Sequence, residues 1–102
     1  MALVTLKSGM IISFGNKDTN KIWDGDRIKG FSTDLQQTAR RKLRMLNNAQ
    51  NIADLQIPPS NRLEKLKGNL KDFYSIRINN QWRIIFKWEN GNALNVEIID
   101  YH

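Results

Sequence analysis

The stretch Phe73-Tyr74-Ser75-Ile76-Arg77-Ile78-Asn79-Asn80-Gln81-Trp82-Arg83-Ile84-Ile85-Phe86-Lys87-Trp88 decides the fold. Tyr74, Ile76 and Ile78 alternate with Ser75, Arg77 and Asn79, and Trp82 to Trp88 alternates likewise, leaving Arg83 and Lys87 on its polar side. A period of two is the mark of a half-buried strand, because successive side chains leave opposite faces of the sheet. Asn79-Asn80-Gln81 supplies the turn between the two strands, and a second turn at Glu89-Asn90-Gly91-Asn92 leads into a third strand, Ala93 to Asp100. The result is an antiparallel meander.

If the apolar faces of the first hairpin coincide, Ile78 sits opposite Trp82, Ile76 opposite Ile84 and Arg77 opposite Arg83. Like charges directly opposed on a sheet cost roughly a few tenths of a kcal/mol or more. The pair therefore makes sense mainly with an anion between the two guanidiniums, and phosphate is the obvious guest, since the planar fork of arginine matches its oxygens. Two separate surface arginines in another register is the competing reading.

Upstream, Met10 to Phe14 reads as a short strand and Asn16 to Ile28 as a first helix interrupted by glycine. Thr33 and Gln36 offer a capping box, after which Leu35, Ala39, Leu43 and Leu46 follow one helical stripe through about Asn48. The other side of that helix carries Arg40, Arg41, Lys42 and Arg44, read as a solvated face or, more sharply, as a surface for RNA or an acidic partner. Asn51 to Leu55 makes another helical turn, and Pro58-Pro59-Ser60-Asn61 marks a loop. The fold class expected is α+β, with two to three N-terminal helices packed on a small, mainly antiparallel sheet. Residues 1–9 read as an N-terminal extension and residues 10–102 as a single domain.

Composition narrows the function. A chain of 102 residues fits one core rather than two. With no cysteine there is no disulfide framework, thiolate zinc site or cysteine nucleophile, and a reducing, cytoplasmic setting is expected. No apolar run approaches the roughly 20 residues that span a bilayer, so no membrane is expected as a partner. A formal net charge of +6 concentrates polyanions around so small a body, and nucleic acid leads the candidate partners.

The chemistry-bearing residues gather at the hairpin and the C-terminus. Asp100-Tyr101-His102 places the lone histidine beside a phenol and a carboxylate, and imidazole titrates near neutrality. Lys67, ahead of Gly68, brings an ammonium toward the same surface, with Lys87 as a further phosphate ligand. One histidine and scattered carboxylates favour neither zinc nor a two-metal nuclease, so no cofactor and no metal are expected. RNA permits cleavage without metal: its 2′-hydroxyl attacks the adjacent phosphate once a base takes the proton and cations hold the charge.

Leu66-Lys67-Gly68, Tyr74 to Asn79, Gln81-Trp82-Arg83-Ile84, Gly91, the closing Asp100-Tyr101-His102 and the Met-Ile-x-Ser-Phe opening at Met10 together resemble the HigB toxins of bacterial toxin–antitoxin systems, members of the RelE superfamily. The resemblance spans residues 10–102. It implies a RelE-like fold, cleavage of mRNA in the ribosomal A site, and neutralisation by a HigA-like helix-turn-helix antitoxin, with operator DNA bound only through the complex. It also implies that Lys67, Arg77 and Arg83 hold the scissile phosphate, while Asp100, Tyr101 and His102 form a terminal catalytic cluster. Several relatives read Leu-His-Pro-Leu-Lys-Gly where this chain has Leu63-Glu64-Lys65-Leu66-Lys67-Gly68. Glu64 then either takes the proton in place of that histidine or is an exposed strand residue, with His102 handling the proton chemistry. A ParE-like gyrase poison, which shares the fold without needing the terminal triad, and a non-catalytic co-repressor module are the alternatives.

Overall fold

The structure is a computed structural model and describes residues 10–101; residues 1–9 and His102 lie outside the described residues, and with them the extension and the terminal imidazole. Two α-helices, α1 (Lys17–Trp23) and α2 (Thr33–Asn48), pack on one face of a sheet with strand order β1-β2-β3-β4, built from Glu64–Lys65, Tyr74–Arg77, Trp82–Glu89 and Asn92–Asp100. Every neighbouring pair of these strands is antiparallel. Two short 3-10 turns, Ile52–Gln56 and Pro59–Asn61, lead from α2 to β1, and a third, Gly68–Leu70, lies between β1 and β2.

The hairpin register is the one that apolar alternation requires, with Ile76 paired to Ile84 and Arg77 to Arg83. Ile76, Ile78, Ile84 and Phe86 thereby share the face that meets Leu35, Ala39, Leu43 and Leu46 of α2, and all of them are buried. The Phe31 and Trp82 rings, centroids 5.1 Å apart and tilted by 50°, pack against this layer. The first turn is held by the Asn79 carboxamide oxygen, which accepts from the amides of Gln81 and Trp82 at 2.9 and 2.8 Å. In the second turn Asn90 and Gly91 both have positive φ, 53° and 79°, between the paired Glu89 and Asn92. That is the two-residue mirror-image turn whose twist matches the flanking strands.

Several local expectations are corrected. The first helix stops at Trp23 rather than Ile28, because Gly25 takes φ +96° and turns the chain away. The cap of α2 is Ser32, whose hydroxyl accepts from Leu35 N at 3.1 Å, not a Thr33–Gln36 box. Gln36 is instead buried and ties down the preceding loop, accepting from Ile28 N at 2.8 Å and donating to Phe31 O at 3.2 Å. Met10 to Phe14 does not form a continuous strand. It runs parallel to β4 through two isolated bridges, Ile11 to Ala93 and Phe14 to Val96. A two-residue strand that the hydrophobic pattern did not signal, β1, pairs Glu64 with Ser75 on the free edge of β2.

β4 contains a bulge. Ile85 pairs with Glu97 but Lys87 with Leu94, so one residue of β3 faces two of β4, and Asn95 absorbs the extra length at φ 52°. Asp100, paired with Trp82, therefore belongs to the helix face of the sheet, whereas Ile99 shares the face of Arg83. Among the described residues no helix is long and apolar enough to cross a membrane. Leu43 is fully buried at the centre of the α2 stripe. Leu43→Ala should destabilise the fold by about 2–5 kcal/mol, read as a lower urea midpoint with an unchanged slope.

Candidate active site

Strand alternation places Ser75, Arg77, Arg83 and Ile85 on the sheet face away from the helices. Arg83 is buried there, 8 % exposed. Its Nη1 donates to Ser75 Oγ at 2.7 Å and to the Arg62 carbonyl at 3.2 Å, and forms an ion pair with Glu64 Oε1 at 2.9 Å. The Tyr101 ring lies 4.7 Å from the guanidinium carbon, within cation–π range. A guanidinium held by three oxygens and a ring has little freedom, so its charge is a fixed feature of the surface.

Arg77 and Arg83 are cross-strand partners, but their side chains part. Arg77 donates to Asn80 in the hairpin turn, while Arg83 reaches the other way, toward β1. The anion that makes Arg83 tolerable next to Arg77 is supplied by the chain itself, as the Glu64 carboxylate. Glu64 is exposed on a strand, and its carboxylate is ion-paired with the central arginine.

The other expected site residues fall in different places. Tyr101 joins Arg83 directly. Asp100 lies on the opposite face and accepts from Gln81 Nε2 at 3.0 Å, while Gln81 O accepts from Tyr101 N at 2.7 Å. Asp100 thus clamps the end of β4 to the hairpin turn and bears on the site through the backbone. Lys67 is exposed in the loop after β1, where its carbonyl accepts from Leu70 N. Lys87 shares the face of Arg83 but sits about 13 Å along the strand, its ammonium 5.5 Å from the Phe73 ring. Among the described residues no three His, Cys, Asp or Glu side chains gather as a metal site.

Three contributors escaped the sequence reading. Ser75 lies on the polar face and within the stretch Tyr74 to Asn79 that carries the resemblance, but nothing in the sequence gives it a role. The Arg62 carbonyl has no sequence signal, since it is turned toward Arg83 by a left-handed backbone at φ 47°. Lys42, expected on a solvated face, is only 6 % exposed, and its ammonium donates to the wholly buried Asn61. The spacing 35, 39, 42, 46 already put it on the buried stripe; its charge argued otherwise. Arg41 and Arg44 are exposed as expected, while Arg40 is half-buried and donates to Ile22 O at 2.8 Å.

Burial, and then the charges of Arg41 and Arg77, hold the Lys42 ammonium below the ordinary lysine range. The folded state therefore resists protonation here more than the unfolded chain does. Stability attributable to Lys42 should be lowest below its depressed folded pKa and be regained as pH rises from there to the ordinary lysine value. Denaturant titrations at stepped alkaline pH should show this rise in the parent and a flatter profile in Lys42→Met.

Comparison with known proteins fits this geometry. A family model described as "RelE-like toxin of type II toxin-antitoxin system HigB" matches residues 12–102. The chain is 42% identical over 87 residues to "Toxin HigB-1" of Vibrio cholerae, covering 84% of this chain and 92% of that protein. It is 28% identical over 93 residues to "Endoribonuclease HigB" of Proteus vulgaris, covering 91% and 100%. A YoeB dimer structure from Staphylococcus aureus superposes with a TM-score of 0.51 at 20% identity, covering 93% of this chain and 95% of that one, a likeness of fold. With its α+β architecture and a match over nearly its whole length, the chain belongs to the HigB family of RelE-like toxins of type II toxin–antitoxin systems.

Proposed function

We propose that this toxin is an endoribonuclease that cuts mRNA in the ribosomal A site without a metal, and the observation that carries the reading is the Glu64–Arg83–Tyr101 cluster. A carboxylate and a phenol flank a fixed guanidinium on the sheet face away from the helices, 2.9 and 4.7 Å from it. RNA cleavage by its own 2′-hydroxyl needs a proton acceptor and a cation for the phosphate, which Glu64 and Arg83 supply, and a proton donor for the leaving oxygen, for which the lone histidine, His102, follows Tyr101.

In this scheme the phosphate enters against Arg83 and competes with Glu64 for the guanidinium. A carboxylate released from a guanidinium is the better proton acceptor. Glu64 takes the 2′-hydroxyl proton, the 2′-oxygen bonds to phosphorus, and the bond from phosphorus to the 5′-oxygen breaks. The proton returned to that oxygen comes from His102, leaving a 2′,3′-cyclic phosphate and a free 5′-hydroxyl. Arg77 and Lys67 neutralise the phosphate, Tyr101 packs the base or ribose, and Asp100 fixes the terminus through Gln81. Lys87 contacts the RNA backbone farther along.

Glu64 rests in an ion pair that the phosphate must displace, so strict alignment of the RNA must supply much of the rate, and the ribosome is the natural source of that alignment. The protein partner is a HigA-like helix-turn-helix antitoxin, operator DNA is reached only through that complex, and the setting is cytoplasmic. The Proteus vulgaris relative's name, "Endoribonuclease HigB", supports the reaction class.

Tightly controlled induction in cells lacking the antitoxin, with mRNA 5′ ends mapped, tests this. Cuts in frame with translation should appear with the parent and fall ~100-fold or more with Arg83→Gln or His102→Ala, and purified protein should leave naked RNA intact. Intact mRNA during growth arrest by the parent sinks the proposal.

A further inference from the structure

Glu64 belongs to a strand of only two residues at the sheet edge, too short to be held by its own ladder. Something else must fix it against Arg83. Two residues upstream, the Arg62 carbonyl accepts from the same Nη1 that binds Glu64, and Arg62 follows Asn61, which is 0 % exposed. Asn61 is anchored from several sides. Its Oδ1 accepts from Lys42 on α2, its Nδ2 donates to Leu55 O at 3.2 Å and Ile57 O at 3.4 Å, and its amide donates to Pro58 O at 2.9 Å. Arg62 N donates to Pro59 O at 3.0 Å, which fixes the left-handed residue whose carbonyl meets Arg83.

A polar chain thus runs from the middle of α2 through Asn61 and Arg62 to the Glu64–Arg83 pair. Nothing in packing alone asks for a lysine at its root. Methionine or leucine would fill the same volume on the buried stripe without bringing an ammonium near Arg41 and Arg77.

We propose that Lys42 and Asn61 are positioning residues that brace the Arg62–Glu64 segment against Arg83 and so set where Glu64 stands when RNA arrives. The role assigned to Glu64 rests on the endoribonuclease reading; the brace itself does not. Neither residue touches substrate. Their effect on turnover passes through the place of the carboxylate, and a displacement of about 1 Å at a reacting group is enough to cost roughly 100-fold in rate.

Two measurements on the full chain decide it. The first is single-turnover cleavage of mRNA on programmed ribosomes with increasing toxin, for the parent, Lys42→Met and Asn61→Leu, the last removing both the acceptor for Lys42 and the donor to Leu55 O and Ile57 O. The plateau rates of Lys42→Met and Asn61→Leu should each fall ~10–100-fold, with half-saturating concentrations within ~2-fold of the parent's. The second is amide hydrogen exchange on the free protein. Lys42→Met should speed exchange at Arg62 and Leu66, the latter bonded to Phe73 O at 2.9 Å, and leave Ile84 and Ile98 unchanged.

An unchanged plateau, or a loss confined to half-saturation, overturns the proposal. So does unaltered exchange at Arg62 and Leu66, whatever the cleavage assay reports. If the parent cuts nothing, the nuclease reading fails and the exchange result still decides the brace.

Discussion

The guanidinium of Arg83 is where three stretches far apart in sequence converge. It carries Ser75 of the adjacent strand, Arg62 and Glu64 of the segment leaving the helices, and Tyr101 beyond the last strand. A nearly buried arginine is tolerable only when its charge and donors are met, because desolvating an unpaired ion costs several kcal/mol. That requirement draws the edge segment and the C-terminus onto one face of the sheet. The hydrophobic layer on the other face does a separate job: Leu35, Ala39, Leu43 and Leu46 press on Ile76, Ile84 and Phe86 and fix the strand register that aims Arg83 outward.

The two faces are coupled by the segment between α2 and β2. It has little regular structure, only short 3-10 turns and the two residues of β1, and its order comes from polar anchors rather than from an apolar stripe. Asp54 caps its first turn, accepting from Gln50 N and Asn51 N at 2.9 and 3.2 Å. Asn61 closes its second turn from inside the molecule. A segment built this way places a carboxylate accurately at modest cost in buried area.

Much of this was legible in the sequence because strand alternation is a local signal. Tyr74 to Arg77 and Trp82 to Trp88 announced both their faces and, through the apolar match, the pairing of Arg77 with Arg83. The α2 stripe was equally plain, since buried positions recur every three or four residues. Local chemistry was read less well. Ser32 competes with Thr33 for the cap position, and Gln36 is claimed by the loop backbone at Ile28 and Phe31, a demand made by residues that only the fold brings near. Lys42 was misread for a related reason: a charge normally marks solvent, and only the buried acceptor on Asn61 explains its place inside.

What the sequence by itself determined is the meander, the helix that covers it, the opposed arginines and a family resemblance carried by its motifs. What only the tertiary structure decided is where those arginines point and which face each terminal residue takes. The turn sequence does not show that Asn95 takes a left-handed conformation and inserts a bulge. One extra residue in a strand reverses the parity of all that follow. That reversal carries Asp100 to the helix side and Tyr101 to Arg83, and the convergence of Glu64 on the same arginine depends on a carbonyl orientation that no residue type encodes.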